Sequence, residues 1–234
     1  MKLSPELAAL KFIAEYFSDC DGALLSGSVV RGEETSTSDL DIVIFQKDLP
    51  NAYRETFYAF DWPIEVFVHN FASYNQFFES DRNRARASLA RMIAEGKIIR
   101  EHDFIQKVKK EAEELLEAGP EPWSEETIQS KRYMVTDVLD DFIGAENPKE
   151  ELWIANALAD LIHEFILRTN QQWLGSSKWV YRALLAFNPM FAEKFYEAFH
   201  TYYRTGEKKL IIALIDEVLA PFGGRLAEGY SAGK

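Results

Sequence analysis

Cysteine is almost missing. Cys20 is the only one in 234 residues, which excludes an intrachain disulfide framework and suits a reducing compartment. No apolar run reaches the roughly 20 residues of a membrane helix. The opening Met-Lys-Leu-Ser-Pro lacks the charged head and apolar stretch of an export signal. The expectation is a cytoplasmic protein with no membrane partner. Positive charge is also scarce: 26 Lys and Arg stand against 38 Asp and Glu, for a net charge of -12. Nucleic-acid surfaces depend on cations at phosphates, so no nucleic-acid partner is expected. The acidity serves solubility first and would draw a cationic ligand second. Arg82, Arg84, Arg86 and Arg91 make one local basic patch, read as neutralising nearby acids. The histidines at 69, 102, 163 and 200 are scattered without zinc spacing. There are no repeats and no low-complexity tract.

What is present is the material of a large core. Hydrophobic residues make up 47% of the chain, with 17 Phe, 10 Tyr and 5 Trp. Residues 4–18 read as a helix, with Ser4 as cap, Pro5 in the first turn and a stripe through Leu7, Leu10, Ala14 and Phe17. Residues 23–27, 40–45 and 64–69 read as strands, the last two rich in β-branched residues. Asp61-Trp62-Pro63 marks a turn before the third strand. Beyond residue 72 the pattern is helical for almost the whole remainder, with clear periodicity over 84–95 and 103–118. Gly119-Pro120-Glu121-Pro122 interrupts it. Further helices start at Ser124, at Asn147-Pro148 and at Asn188-Pro189, the last closing at Gly206, and 207–220 forms a final one. The tail, "GRLAEGYSAGK", reads as partly loose. The fold class is therefore α+β: a small mixed-sheet domain over 1–119, then an all-helical bundle domain over 120–234. Two such domains leave a cleft for a small ligand.

The stretch "LLSGSVVRGEETSTSDLDIVIF", Leu24 to Phe45, carries the chemistry. Asp39 and Asp41 are two apart at the start of a strand and so share a face, while Leu40 and Ile42 take the other. In "IEVFVH" the same alternation sets Glu65 and Phe67 against Ile64, Val66 and Val68. If the two strands are neighbours, Glu65 joins the aspartates. Three clustered carboxylates repel one another, and a proton or a cation must relieve that. Mg²⁺ suits an all-oxygen site and shares its ligands with substrate phosphates. Gly27 lets backbone come close to a ligand, and with the Ser28 hydroxyl it can cradle a phosphate. Carboxylate-held metal opposite a phosphate cradle is suited to phosphoryl or nucleotidyl transfer.

Gly27-Ser28, ten residues, Asp39-Leu40-Asp41 and a later Glu65 between apolar neighbours together resemble the signature of the DNA polymerase β-type nucleotidyltransferase superfamily. The resemblance covers residues 23–70. With a helical second domain the chain is similar to the antibiotic nucleotidyltransferase branch, that of the aminoglycoside and lincosamide enzymes. "NQQWLGSSKWVYRALL" resembles the helical domains of such enzymes more weakly. The resemblance implies that Asp39 and Asp41 hold Mg²⁺ on the triphosphate of ATP or another nucleoside triphosphate. It implies that Gly27 and Ser28, helped by Arg31 and Ser38, hold the outer phosphates. Glu65 is then a further metal ligand or the general base. The implied reaction moves a nucleoside monophosphate, AMP first among them, to a hydroxyl of a small molecule. The acidic balance suits a cationic acceptor. Some relatives complete their site as a homodimer. Two alternatives stand beside this: AMP transfer to a protein, as in minimal antitoxin-type enzymes, and a non-catalytic nucleotide-binding module.

The helical domain offers weaker candidates. Asn156, Asp160 and His163 are spaced to share a helix face and form a candidate acceptor wall. Lys178 and Arg182, four apart, are candidates for the triphosphate.

Overall fold

The computed structural model describes residues 2–231. The chain divides after Gly119 into two compact units.

The first unit is a five-stranded mixed sheet with helices on both faces. Its strands are β1 (Gly22–Ser26), β2 (Leu40–Phe45), β3 (Tyr53–Ala59), β4 (Trp62–His69) and β5 (Lys97–Arg100). Their spatial order is β3-β4-β2-β1-β5. Only β2 and β4 run parallel; every other pair is antiparallel. The chain leaves β2, forms β3 at the edge, and returns through Phe60 and Asp61, both at positive φ. Two such residues make the tight hairpin turn that matches strand twist. The turn therefore lies one residue earlier than Asp61-Trp62-Pro63 suggests, and β4 already begins at Trp62. Trp62 is buried, and its indole N–H donates to the Leu3 carbonyl at 2.9 Å.

Alternation sorts the two faces. Ala23, Leu25, Leu40, Ile42, Ile44, Ile64, Val66 and Val68 pack against Ala8, Ala9, Phe12 and Ile13 of α1 (Pro5–Tyr16). The opposite face carries Phe45, whose ring meets Tyr74 and Phe104 edge-on. Those two residues belong to α2 (Tyr74–Asn83) and α4 (Asp103–Ala118). Between them lies α3 (Ser88–Glu95), held at both ends by side chains from its neighbours. At its start the buried Asp81 carboxylate accepts from the Leu89 and Ala90 N–H groups at 2.8 and 3.3 Å. At its end the Lys109 ammonium donates to the carbonyls of Ile93, Ala94 and Gly96 at 3.0, 2.7 and 2.8 Å. An acid at the N-terminus and a cation at the C-terminus satisfy orphan backbone groups and oppose the helix dipole favourably. The stretch 84–95 is thus a helix only from Ser88, and the helical reading beyond residue 72 misses β5.

The second unit is all helical: α5 (Glu125–Gly144), α6 (Pro148–Thr169), α7 (Trp179–Phe187), α8 (Pro189–Thr205) and α9 (Lys209–Leu219). One core joins them, including Leu139, Phe142, Leu158, Ile162, Phe165, Leu184, Phe199 and Ile215. The caps Ser124, Asn147 and Asn188 accept from Thr127, Lys149 and Phe191 N–H groups, and Gly206 ends α8 in the left-handed region. The tail is better held than its composition suggests. Arg132 donates to the carbonyls of Gly223 and Arg225 at 3.0 and 3.3 Å. Leu226 N–H donates to Thr136 Oγ1 at 2.9 Å, and Tyr230 stacks on Tyr133 at 4.3 Å. Residues 232–234 of that tail lie outside the described residues. No helix among the described residues is long and apolar enough to cross a membrane.

Candidate active site

The register of β2 against β4 pairs Asp41 with Glu65 directly. The register of β1 against β2 pairs Ser26 with Asp41. Directly opposed residues share a face, so Ser26, Asp41 and Glu65 stand in a row across three strands. Asp39 lies one residue before β2 and turns in to join them. One carboxylate oxygen from each of Asp39, Asp41 and Glu65 lies within 4.8 Å of the other two. All three residues are half-buried. Among the described residues this is the one cluster of His, Cys, Asp and Glu with such spacing.

Burial and repulsion act together on the middle member. Loss of solvent, then the charges of Asp39 and Glu65, push the Asp41 carboxyl up to about 6, against a weaker opposing pull from Arg31 and Arg54. An ionised Asp41 is therefore costly unless a cation shares the site. The donors are all hard carboxylate oxygens, and that set fits Mg²⁺ or Mn²⁺ rather than a thiophilic metal.

Arg54 is the cation that the structure itself places there. It projects from the edge strand β3 and forms an ion pair with Glu65. Its guanidinium also covers the Phe67 ring at 5.3 Å. The arginine is 66% exposed and the glutamate 15%, so the pair sits at the mouth of the cluster. Sequence reasoning missed Arg54, because β3 is exposed on both faces over most of its length and shows no apolar alternation.

The Gly-Ser turn follows β1 directly. Gly27 has φ +81, and a Cβ there would lie 2.1 Å from Asp41 Oδ2. Glycine is thus required twice, by backbone conformation and by the carboxylate packed over it. The ten-residue loop is bound to itself. Ser28 Oγ donates to Ser38 Oγ at 3.1 Å, which accepts from Thr35 N–H at 2.9 Å. Glu33 N–H donates to the Ser28 carbonyl at 3.0 Å. Arg31 donates to Glu33 and to Glu95, at 3.0 and 2.9 Å. Glu95 ends α3 and also accepts from Arg91 at 3.2 Å. Within the basic patch, Arg91 thus meets Glu95, and Arg84 pairs with Asp81 at 2.5 Å. The structure brings Gly27, Ser28, Arg31 and Ser38 into one loop beside the triad.

The candidates of the helical unit separate. Asn156 and Asp160 are exposed on α6, and Asn156 Oδ1 accepts from the Tyr203 hydroxyl at 2.6 Å. His163 does not share their exposure: it is buried, and its Nε2 accepts from the Gly175 N–H at 3.2 Å. That bond pins the chain before α7, where a Cβ on Gly175 would lie 2.0 Å from the Trp179 carbonyl oxygen. Lys178 is exposed at the start of α7, and the Arg182 guanidinium covers the Trp179 ring at 4.9 Å.

Residues 9–115 match the family model of the nucleotidyltransferase domain. No curated protein matches the sequence. Among solved structures, a nucleotidyltransferase-like protein from Exiguobacterium sibiricum is similar at 12% identity and a TM-score of 0.45, over 92% of this chain and 74% of that one. That likeness is too slight to bear on chemistry. The matched segment contains the whole acidic triad, the Gly-Ser turn and the loop between them.

Proposed function

We propose, from the premise that residues 9–115 are a nucleotidyltransferase domain and the chain an enzyme of that type, that it moves a nucleoside monophosphate from a nucleoside triphosphate to a small-molecule hydroxyl. ATP is the first donor to test, Mg²⁺ the ion, and an antibiotic-like cationic alcohol the acceptor class. The observation that carries the reading is the meeting of Asp39, Asp41 and Glu65 oxygens within 4.8 Å of one another, beside a turn in which only glycine fits.

The residues divide the work as follows. Asp39, Asp41 and Glu65 would hold the divalent ion, which supplies charge withdrawal at the phosphate oxygens when bound. Glu65 stands with the aspartates rather than apart from them, which favours a shared-ion role over that of a separate base. The Gly27 backbone offers hydrogen bonds to the outer phosphates, and the Ser28 hydroxyl, which donates to Ser38 Oγ at 3.1 Å, would turn its proton from Ser38 to a phosphate oxygen when nucleotide binds. Arg31, fixed between Glu33 and Glu95, sets a positive charge beside the same loop. In the reaction the acceptor oxygen bonds to the α-phosphorus, the bond from that phosphorus to the bridging oxygen breaks, and pyrophosphate leaves with that oxygen. The hydroxyl proton passes to a carboxylate of the site or to water. The net charge of -12 supports a cationic acceptor over a polyanionic one.

The test is incubation with Mg²⁺, each labelled nucleoside triphosphate, and a panel of aminoglycosides, lincosamides and neutral polyols. Pyrophosphate release that depends on a small acceptor supports the reading. Label on protein shifts the assignment to protein AMP transfer. Nucleotide binding without turnover assigns a regulatory module instead.

A further inference from the structure

Ser26 is the last residue of β1 and is 1% exposed. Its Oγ is one of two buried side-chain N or O atoms among the described residues without a hydrogen-bond partner. Buried hydroxyls are nearly always partnered, because an unmade hydrogen bond costs more than a made one gains. The orphan is not in a remote part of the core. Its register partner is Asp41, the central carboxylate of the triad, and opposed residues on neighbouring antiparallel strands have Cβ atoms about 5 Å apart. A Ser Oγ and an Asp Oδ meet across that gap by side-chain rotation alone. They do not meet here: Ser26 Oγ has no partner, and the Asp41 carboxylate lies over Gly27, with Oδ2 2.1 Å from where a Cβ would lie. The site therefore holds a donor without an acceptor, next to an acceptor directed elsewhere.

We propose that Ser26 is a positioning residue: on ion loading, its hydroxyl donates to the Asp41 oxygen that the ion does not take, fixing that carboxylate in its ligating orientation. This rests on reading the triad as an ion site, and deepens it. No covalent bond changes, and Ser26 touches neither nucleotide nor acceptor.

The experiment titrates the full chain with Mn²⁺, without nucleotide, following free Mn²⁺ by electron paramagnetic resonance and melting by calorimetry. Ser26→Ala should weaken Mn²⁺ binding about tenfold, the order expected for a lost hydrogen bond to a charged group. Its ion-free melting temperature should be unchanged or higher, since no bond is lost there. Ser26→Cys fills similar volume with a poor donor and should show a parallel loss, which separates hydrogen bonding from packing. If Ser26→Ala and Ser26→Cys bind Mn²⁺ like wild type while Asp41→Asn does not, Ser26 has no positioning role and the triad stands. If Asp41→Asn also binds like wild type, the triad is not the ion site and both readings fall.

Discussion

At the scale of single residues, the site stores cost in the ion-free protein. Asp41 has its carboxyl raised to about 6 by burial and by Asp39 and Glu65. The folded state therefore holds this proton more tightly than the unfolded chain does. Folding is not penalised below about pH 3, where Asp41 is protonated in both states; stability falls as pH rises from the ordinary carboxylate range towards the folded-state value of about 6, above which the penalty is complete. Its size is on the order of 3 kcal/mol. Asp41→Asn should abolish turnover and yet raise the ion-free melting temperature at pH 8 by several degrees, with the gain shrinking as pH falls below about 6 and gone below about pH 3; calorimetry across that range checks it. Gly27→Ala should also abolish activity, but by a different route, since its Cβ would displace the Asp41 carboxylate; weakened Mn²⁺ binding in a protein with an unchanged far-ultraviolet spectrum is the expected result. Arg54→Gln should tighten Mn²⁺ binding severalfold, because the guanidinium competes with the ion for Glu65; a titration showing weaker binding would make Arg54 a support of the ion site rather than its rival.

At the scale of elements, legibility depended on what each segment buries. β2 is buried on both faces except at Asp41, and β4 alternates buried with half-buried residues; strand periodicity puts Asp39 with Asp41 and Glu65 with Phe67, but only the β2–β4 register joins the two sets. β3, "YRETFYA", exposes most residues on both sides, so it carries no periodic signal and Arg54 went unseen with it. β5 has four residues, too few for a pattern. The Arg31–Glu95 pair spans 64 positions, and only the packing of α3 brings its ends together. Ser26 reads as an ordinary strand residue; its isolation is a property of the layers above it. Side-chain caps on α3 were equally invisible, and they bear on function because α3 carries Glu95, which holds Arg31. Asp81→Ala should cost about 1–2 kcal/mol, as for other lost N-caps. Faster hydrogen exchange at Leu89 and Ala90, with β2 unaffected, is the signature to look for.

At the scale of the whole molecule, charge and the single cysteine limited function classes without choosing an activity; the choice came from some forty residues around one turn. The acidic surface carries a prediction of its own. If the acceptor is a polycation, raising ionic strength from about 10 to 150 mM shortens the Debye length from about 30 to 8 Å and should raise its KM, while the KM of a neutral acceptor stays level. The account as a whole is tested most directly by pyrophosphate release from ATP and the other triphosphates in the presence of Mg²⁺ and the acceptor panel, wild type beside Asp41→Asn. Release by wild type that requires both the ion and an acceptor, and none from Asp41→Asn, is what the structure predicts. Equal release by the two proteins would place the chemistry away from the triad and contradict it.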